Sequence, residues 1–494
     1  MSRGLVSVAV SCYRHSREVG RMRESKTRRQ STFADLEFLA QKISLDPVLE
    51  RLSAFLDQHG ELVDLVHCDL MRGLKRPRSG RRGLTAEQAL RALLLQRIKD
   101  WDLRELRERI ADGLTLRQFT AFWSDQVPSH QAFHRSFVKL TPETMQAVNR
   151  AVVTAAVALG VEDGKRLRVD TTMVETNIHW PTDSELCWDS VRVLTRLSRA
   201  VLAEMPALPE RFANRTRAAR RRMQTLHRMS PTQRQTQLQP TYRKLLKITR
   251  HVIENARGVW RAAHKAKTRL GFDAALRVEG LLTEIEHYAK LADRVVDQTH
   301  RRVLEGESLS AEEKLYSIFE PHTDLIKRGK ANRPVEFGHK VFLAESRLGL
   351  ITNYRILDGN PPDEKRVSES LEHHRETFGL VPTLYAADRG FYSVHNIEAL
   401  TAAGVKVESV PQRGGHKTSA RAAHEKKRTF KLAQKFRAGI EGRISVLFRG
   451  RGMKRCELHG RERFEVFVGA AVLANNLLII AAALHRKRPL LRAA

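Results

Sequence analysis

The spacing of apolar residues divides the chain into regimes. In "LTAEQALRALLLQRIKDWDLRELRERIADG", Leu90, Leu94, Ile98, Trp101, Leu103, Leu106 and Ile110 recur every three or four residues, the period of helices with one buried face. Thr85 precedes Gln88 by three positions, the pairing of a capping box, which predicts a helix start there. Helical spacing holds over 34–158, which reads as an all-helical domain. Within it, "LTLRQFTAFWSDQVPSHQAFHRSFVKL" breaks at "VPSHQAF" before a short basic helix, a pattern that suits a helix-turn-helix or a plain helical bundle equally. A second helical stretch, 191–310, contains "RFANRTRAARRRMQTLHRMS" and "YRKLLKITRHVIENARGVWRAAHKAKTRL". From 315 the segments become strand-like. "VEFGHKVFLAES", "GLITNYRIL" and "VPTLYAAD" are short, β-branched or aromatic, and bounded by Gly, Pro or Asp, with the helical "DEKRVSESLEHHRETFG" between the last two. Together with "RLRVDTT" they predict a mixed α/β sheet whose first strand, in 159–190, is separated from the remainder, 311–485, by a long helical insertion.

The ends add little to this core. "GLVSVAVSC" is too short for the apolar centre of a signal peptide, residues 1–33 read as a basic, disordered arm with Met22 as the native start, and 486–494 read as a basic tail. The apolar run "FVGAAVLANNLLIIAAAL" at 467–484 is long enough to span about 30 Å as a helix. Asn475 and Asn476 at its centre favour a buried core helix instead, so no membrane association is expected. Four scattered cysteines without C-x-x-C spacing point to neither a zinc site nor a disulfide framework, in keeping with a cytoplasmic protein.

Charge changes the picture. Lys and Arg number 87 against 56 Asp and Glu in 494 residues, a net +31 that calls for a polyanionic partner, most often nucleic acid. Between 191 and 302 there are 25 basic and nine acidic residues, so a net +16 falls in the insertion. Arg220, Arg221 and Arg222 are its densest cluster and candidate DNA contacts, with a merely solvated helix face as the alternative.

Against this basic background two aspartates stand out. Asp170 closes "RLRVD" and Asp388 closes "LYAAD", the carboxyl ends of strands where α/β sheets collect working residues. Two close carboxylates repel unless protonated or neutralised by a cation, and Mg²⁺ or Mn²⁺ prefers such oxygens. A third acid is sought in "KLAQKFRAGIEGRISVLFRG", whose helical period runs through Phe436, Ile440, Ile444 and Leu447. Glu441 follows Arg437 by four residues on one face, and Gly439 and Gly442 would admit a neighbouring backbone. Taken singly, Asp170 and Asp388 could be caps or turn residues, and Glu441 half of a helical ion pair. No Gly-x-x-x-x-Gly-Lys-Ser/Thr loop is present, so no nucleotide cofactor is expected.

"VDTTMVETNIHWPTDS", "YAADRGFYS" and "FRAGIEGRIS" resemble the three signature regions of the DDE transposases of bacterial insertion sequences, most nearly the ISNCY-like group, over about 22–480. The resemblance implies an RNase H-like catalytic core, with Asp170, Asp388 and Glu441 as a metal-binding catalytic triad using Mg²⁺ or Mn²⁺. It implies DNA cleavage and strand transfer on double-stranded DNA at element ends and target, by a homodimer or larger assembly in the nucleoid. The family's third region often reads Tyr, two residues, Arg, three residues, Glu, six residues, Lys. Arg437 and Glu441 match it, but Gln434 stands for the Tyr and Phe448 for the Lys, which leaves Glu457 as the alternative third acid. Arg389 and Arg437 suit phosphate contacts. Glu175, His179 and Tyr392 are candidates for substrate positioning, while Asp183 and His339 read as loop residues satisfying their surroundings. A catalytically silent DNA-binding derivative and a nuclease without strand transfer are the competing functions.

Overall fold

The structure is a computed structural model that describes residues 24–26, 44–74, 83–330 and 333–492. Apart from 24–26, the basic arm lies outside the described residues, as do the proposed start at Met22 and the end of the basic tail. The chain forms two compact units, one from residues up to Glu175 and from Lys340 onward, the other from Thr176 to His339.

The first unit begins with helices α1 (Pro47–Gln58), α2 (Gly60–Met71), α3 (Ala86–Lys99), α4 (Leu103–Asp112), α5 (Leu114–Phe119), α6 (His130–Phe137) and α7 (Pro142–Ala158). Local chemistry sets their limits. The predicted capping box is present at α3, Thr85 accepting from the Gln88 amide while Gln88 accepts from Thr85 N. The continuous apolar period after it is carried by two helices, because Asp100 turns left-handed at φ 54° and the Asp102 carboxylate caps α4. Helices α5 and α6 are joined by the ten residues 120–129, against the three or four of a helix-turn-helix corner.

Strand β1 (Arg166–Thr176) then leads into the second unit, which holds α8 (Asp183–Glu204), α9 (Thr216–Arg228), α10 (Pro231–Ala266), α11 (Phe272–Thr299) and β2 (Asp324–Lys330). Leu186, Val191, Leu194, Leu245, Val252, Ile285 and Val295 are among the residues of its own helical core. Charge is segregated along these helices: α9 and α10 carry 13 basic residues and one acid, whereas α11 carries three basic residues and six acids.

Strand β3 (Arg333–Ser346) pairs antiparallel with β2 through its first half and continues into the first unit. There it is followed by β4 (Ile351–Ile356), α12 (Val367–Phe378), β5 (Leu384–Ala386), α13 (Val394–Ala402), β6 (Val407–Ser409), α14 (Ser419–Lys426), α15 (Arg428–Gly450), β7 (Arg455–Cys456) and α16 (Arg461–Arg492). The sheet of this unit runs β4-β3-β1-β5-β6, with β7 on β1. β4 is antiparallel to β3, and β1, β5 and β6 are parallel. The mixed order, with the helical insertion following the first core strand, is RNase H-like. Side chains alternate across β3. Phe342 and Ala344 join Leu167, Val169 and Tyr385 on one face, and Val341 and Leu343 join Val174, Leu447 and Phe464 on the other.

Helix α16 contains the apolar run long enough to cross a membrane, yet 78% of that window is buried inside the protein. Its two central asparagines explain the composition. Asn476 accepts from Ile351 N at 2.8 Å and donates to Ile351 O and Asn149 Oδ1, each at 2.8 Å. This satisfies the backbone of β4 where an aliphatic residue would leave polar groups orphaned.

Candidate active site

Strand register sets the site. Arg168 pairs with Ala386 across the parallel strands β1 and β5, so Asp170 and Asp388, each two residues farther on, lie at one level. The expectation that both close their strands is corrected for Asp170, which lies inside β1 because that strand continues to Thr176, whereas Asp388 is past the end of β5. Asp170 is buried, its Oδ1 accepting from Thr171 N at 2.8 Å. Asp388 lies just past β5, where its Oδ1 caps a short 3-10 turn by accepting from Gly390 N at 2.7 Å.

Helix α15 crosses these strand ends and is anchored twice. Gln434 Nε2 donates to Ala387 O at 3.2 Å and Ser409 O at 2.7 Å, tying the helix to the ends of β5 and β6 one residue before Asp388. The residue standing in the family's Tyr position is therefore a backbone tether. The second anchor is ionic and buried. Arg168 Nε lies 2.7 Å from Glu345 Oε2, and its Nη1 donates to Phe436 O at 2.6 Å. Arg443 Nε reaches the other oxygen of Glu345 at 3.1 Å, and its Nη1 reaches Asn475 Oδ1 at 3.1 Å. A Cβ at Gly439 would press on the Arg168 guanidinium, which would have to give up its place against Phe436 O to make room. The expectation that Gly439 and Gly442 admit a neighbouring backbone is corrected: Gly439 admits a side chain, and Gly442 faces open space. Phe448, in place of the family's Lys, packs against the apolar cluster under α15.

Arg437 sits where the acids meet. Its Nη2 is 2.7 Å from Asp170 Oδ2 and 3.9 Å from Asp388 Oδ2, while Nη1 donates to Glu441 Oε1 at 3.1 Å. Glu441 is 69% exposed and joins the aspartates through this guanidinium. Glu457, the alternative third acid, is exposed on the turn after β7 and acts electrostatically on Arg97. Burial is the main cause that pushes the Asp170 carboxyl up to about 6; Arg437 opposes it, and the charges of Asp388 and Asp363 add to it. A proton on Asp170 is thus bound more tightly in the folded chain than in the unfolded one, whose carboxyl keeps its ordinary value of 3.8. Stability of the metal-free protein should fall as pH rises from about 4 through 6, then level off. Asp170→Asn lacks this penalty. Its metal-free form is expected to be more stable than wild type at pH 7.5 by up to about 3 kcal/mol, with the gain gone near pH 4. Urea titrations at both pH values check this, and a pH-independent difference would refute it.

Sequence reading missed Asp363 and Lys340. Lys340 Nζ contacts Asp363 Oδ1 at 2.8 Å, and a side chain at Gly390 would press on both Asp363 and Asp388. The signal was the "PPDEK" turn, a Pro-fixed entry to a helix that carries an acid toward the strand ends. Arg168 was legible by strand alternation, since it shares the face of Asp170.

The other candidates scatter. Arg389 is exposed beside Asp388, and Tyr392 lies under the Arg421 guanidinium at 5.3 Å. Glu175 N bonds Lys454 O at 2.9 Å where β1 meets β7. In the second unit, His179 Nε2 pairs with the buried Asp189 at 2.9 Å, which raises it to about 9 and keeps it cationic at neutral pH. The reading of Asp183 and His339 as loop residues is corrected: Asp183 opens α8 and accepts from Gln298 and Arg302, and the buried His339 lies within β3 and bonds Asp324 and His322, so each is satisfied by other side chains. Arg220 and Arg221 are exposed on α9 and Arg222 is half-buried.

The donor set at the strand ends is oxygen only, which a hard divalent cation takes, and a cationic group already stands between the aspartates. Among the described residues, no three His, Cys, Asp or Glu side chains are arranged as a finished metal cage. The guanidinium of Arg437 lies within 4 Å of all three carboxylates, at 2.7 Å from Asp170, 3.9 Å from Asp388 and 3.1 Å from Glu441.

An RNase H-like sheet bringing acids together from adjacent parallel strands defines the general class, and comparison with known families specifies it. Residues 37–138 match the transposase domain (DUF772), and residues 293–477 match the transposase DDE domain. The chain belongs to the DDE transposases of insertion sequences. The DDE match contains Asp388, Arg437 and Glu441, whereas Asp170 precedes it. No curated protein and no solved structure matches the chain.

Proposed function

We propose that the chain cleaves the ends of its insertion sequence and joins them to target DNA by phosphoryl transfer at Asp170, Asp388 and Glu441. One observation carries this reading: three carboxylates from β1, the end of β5 and α15 share a single guanidinium at the carboxyl end of a parallel strand pair. Divalent metal ions bound there would activate the attacking water or 3′-hydroxyl and stabilise the leaving oxygen. Asp170 and Asp388 are held for this by the sheet, Glu441 by the helix that Gln434 and Glu345 pin in place. The exposed Arg389 and the freed Arg437 are suited to the scissile phosphate, where a fork of donors meets two oxygens. Incubating the full chain with Mg²⁺ and a duplex carrying the element end should give both nicked and joined products, abolished by EDTA. Nicking without joining would support the nuclease reading, and binding without either product the silent one.

The basic helices α9 and α10 are proposed to follow the DNA backbone. Each phosphate contact releases condensed counterions, so Arg220, Arg221 and Arg222 replaced together by Ala should flatten the dependence of log affinity on log salt by roughly two to three units. Specific and unrelated duplexes should weaken alike, because phosphate contacts do not read bases. An unchanged slope in a fluorescence-anisotropy salt series would remove this cluster from the DNA path.

A further inference from the structure

Arg437 occupies an unusual position for a residue whose obvious partner is phosphate. It reaches three acids at once, its side chain is only 16% exposed, and its Nε is buried without a partner. The inward position therefore neutralises the carboxylates while leaving one donor of the fork unmet. Glu441, its helical neighbour, is by contrast largely exposed and has no other described partner.

We infer that Arg437 is the resident counter-cation of the DNA-free protein, holding Asp170, Asp388 and Glu441 together until it is displaced by divalent metal and takes up a DNA phosphate. This rests on the proposed metal role of those acids. Two cationic groups cannot share the same carboxylate oxygens, so the inward guanidinium competes with the metal and lowers its affinity when DNA is absent. A duplex offers the guanidinium two oxygens of its own and thereby favours the outward position. DNA and metal should then strengthen each other's binding, and thermodynamic linkage makes that coupling reciprocal. The consequence is a centre loaded with metal mainly when its substrate is present.

The test is Mn²⁺ binding to the full chain, read as free Mn²⁺ by electron paramagnetic resonance, with and without a non-cleavable duplex. R437Q should bind Mn²⁺ more tightly than wild type in the absence of DNA, roughly 5- to 150-fold, the span of ordinary coupling energies. Duplex should raise the affinity of wild type but leave R437Q nearly unchanged. R437K keeps the charge and should retain the competition, which separates charge from packing; a melt in EDTA checks that each variant folds. If Mn²⁺ binding is lost in D388N yet is equal or weaker in R437Q, the competition is overturned while the metal site stands. If no form binds Mn²⁺ with or without DNA, the metal-site reading falls and this inference with it.

Discussion

Asp170→Asn and Asp388→Asn are each expected to reduce Mg²⁺-dependent DNA cleavage by roughly a hundred- to a thousandfold, the loss typical when a group stabilising transition-state charge is removed, while duplex affinity changes little. The two aspartates lie at one level, Asp170 within β1 and Asp388 just past β5, so neither can be replaced by a neighbour without shifting the register of β1 on β5. Binding survives because the net +31 is spread over the chain, with a net +16 in the insertion alone. Gel assays of cleavage beside anisotropy titrations of binding separate the two effects. Glu441→Gln should fall into the same class and Glu457→Gln should not, since Arg437 pairs with Glu441 and the aspartates, whereas the charge of Glu457 acts on Arg97. Full activity of Glu441→Gln together with an inactive Glu457→Gln would reverse that assignment.

Glu345→Ala should strongly destabilise the first unit. The carboxylate is fully buried and holds two arginines from opposite sides, Arg168 on β1 and Arg443 on α15. Removing it strands two cations that cannot regain water without unseating the helix, a cost of about 3–5 kcal/mol for a broken buried pair. Urea unfolding should show a lowered midpoint, and metal-dependent cleavage should fall even where the chain remains folded, since α15 carries Arg437 and Glu441. A variant with unchanged stability would mean that water or a rearranged side chain replaces Glu345. Gly439→Ala attacks the same anchor from the other side, by filling the space of the Arg168 guanidinium.

Much of this protein is written in local pattern. The helical period and the Thr85–Gln88 capping box place α3, because a capping box needs only four residues to satisfy the helix's first amides. The two aspartates stood out because each follows a short β-branched or aromatic run, but only Asp388 lies past its strand, since β1 continues six residues beyond Asp170. The double asparagine in an apolar helix marked a core element, since two amides at the centre of a membrane span would lack partners. The sequence by itself thus determined the class of elements and the basic character of the insertion, and it singled out the two aspartates while misplacing Asp170 at a strand end. Tertiary structure decided what has long sequence separation: the parallel pairing that levels Asp170 with Asp388, the approach of Asp363, and the convergence of three acids on Arg437. It also decided that Gly439 makes room for Arg168, 271 positions away in the chain, and that Gln434 ties a helix to two strand ends. The physical reason is that period and capping are set by neighbours within a turn or two. Which charges meet depends instead on strand order and register, which no local window contains.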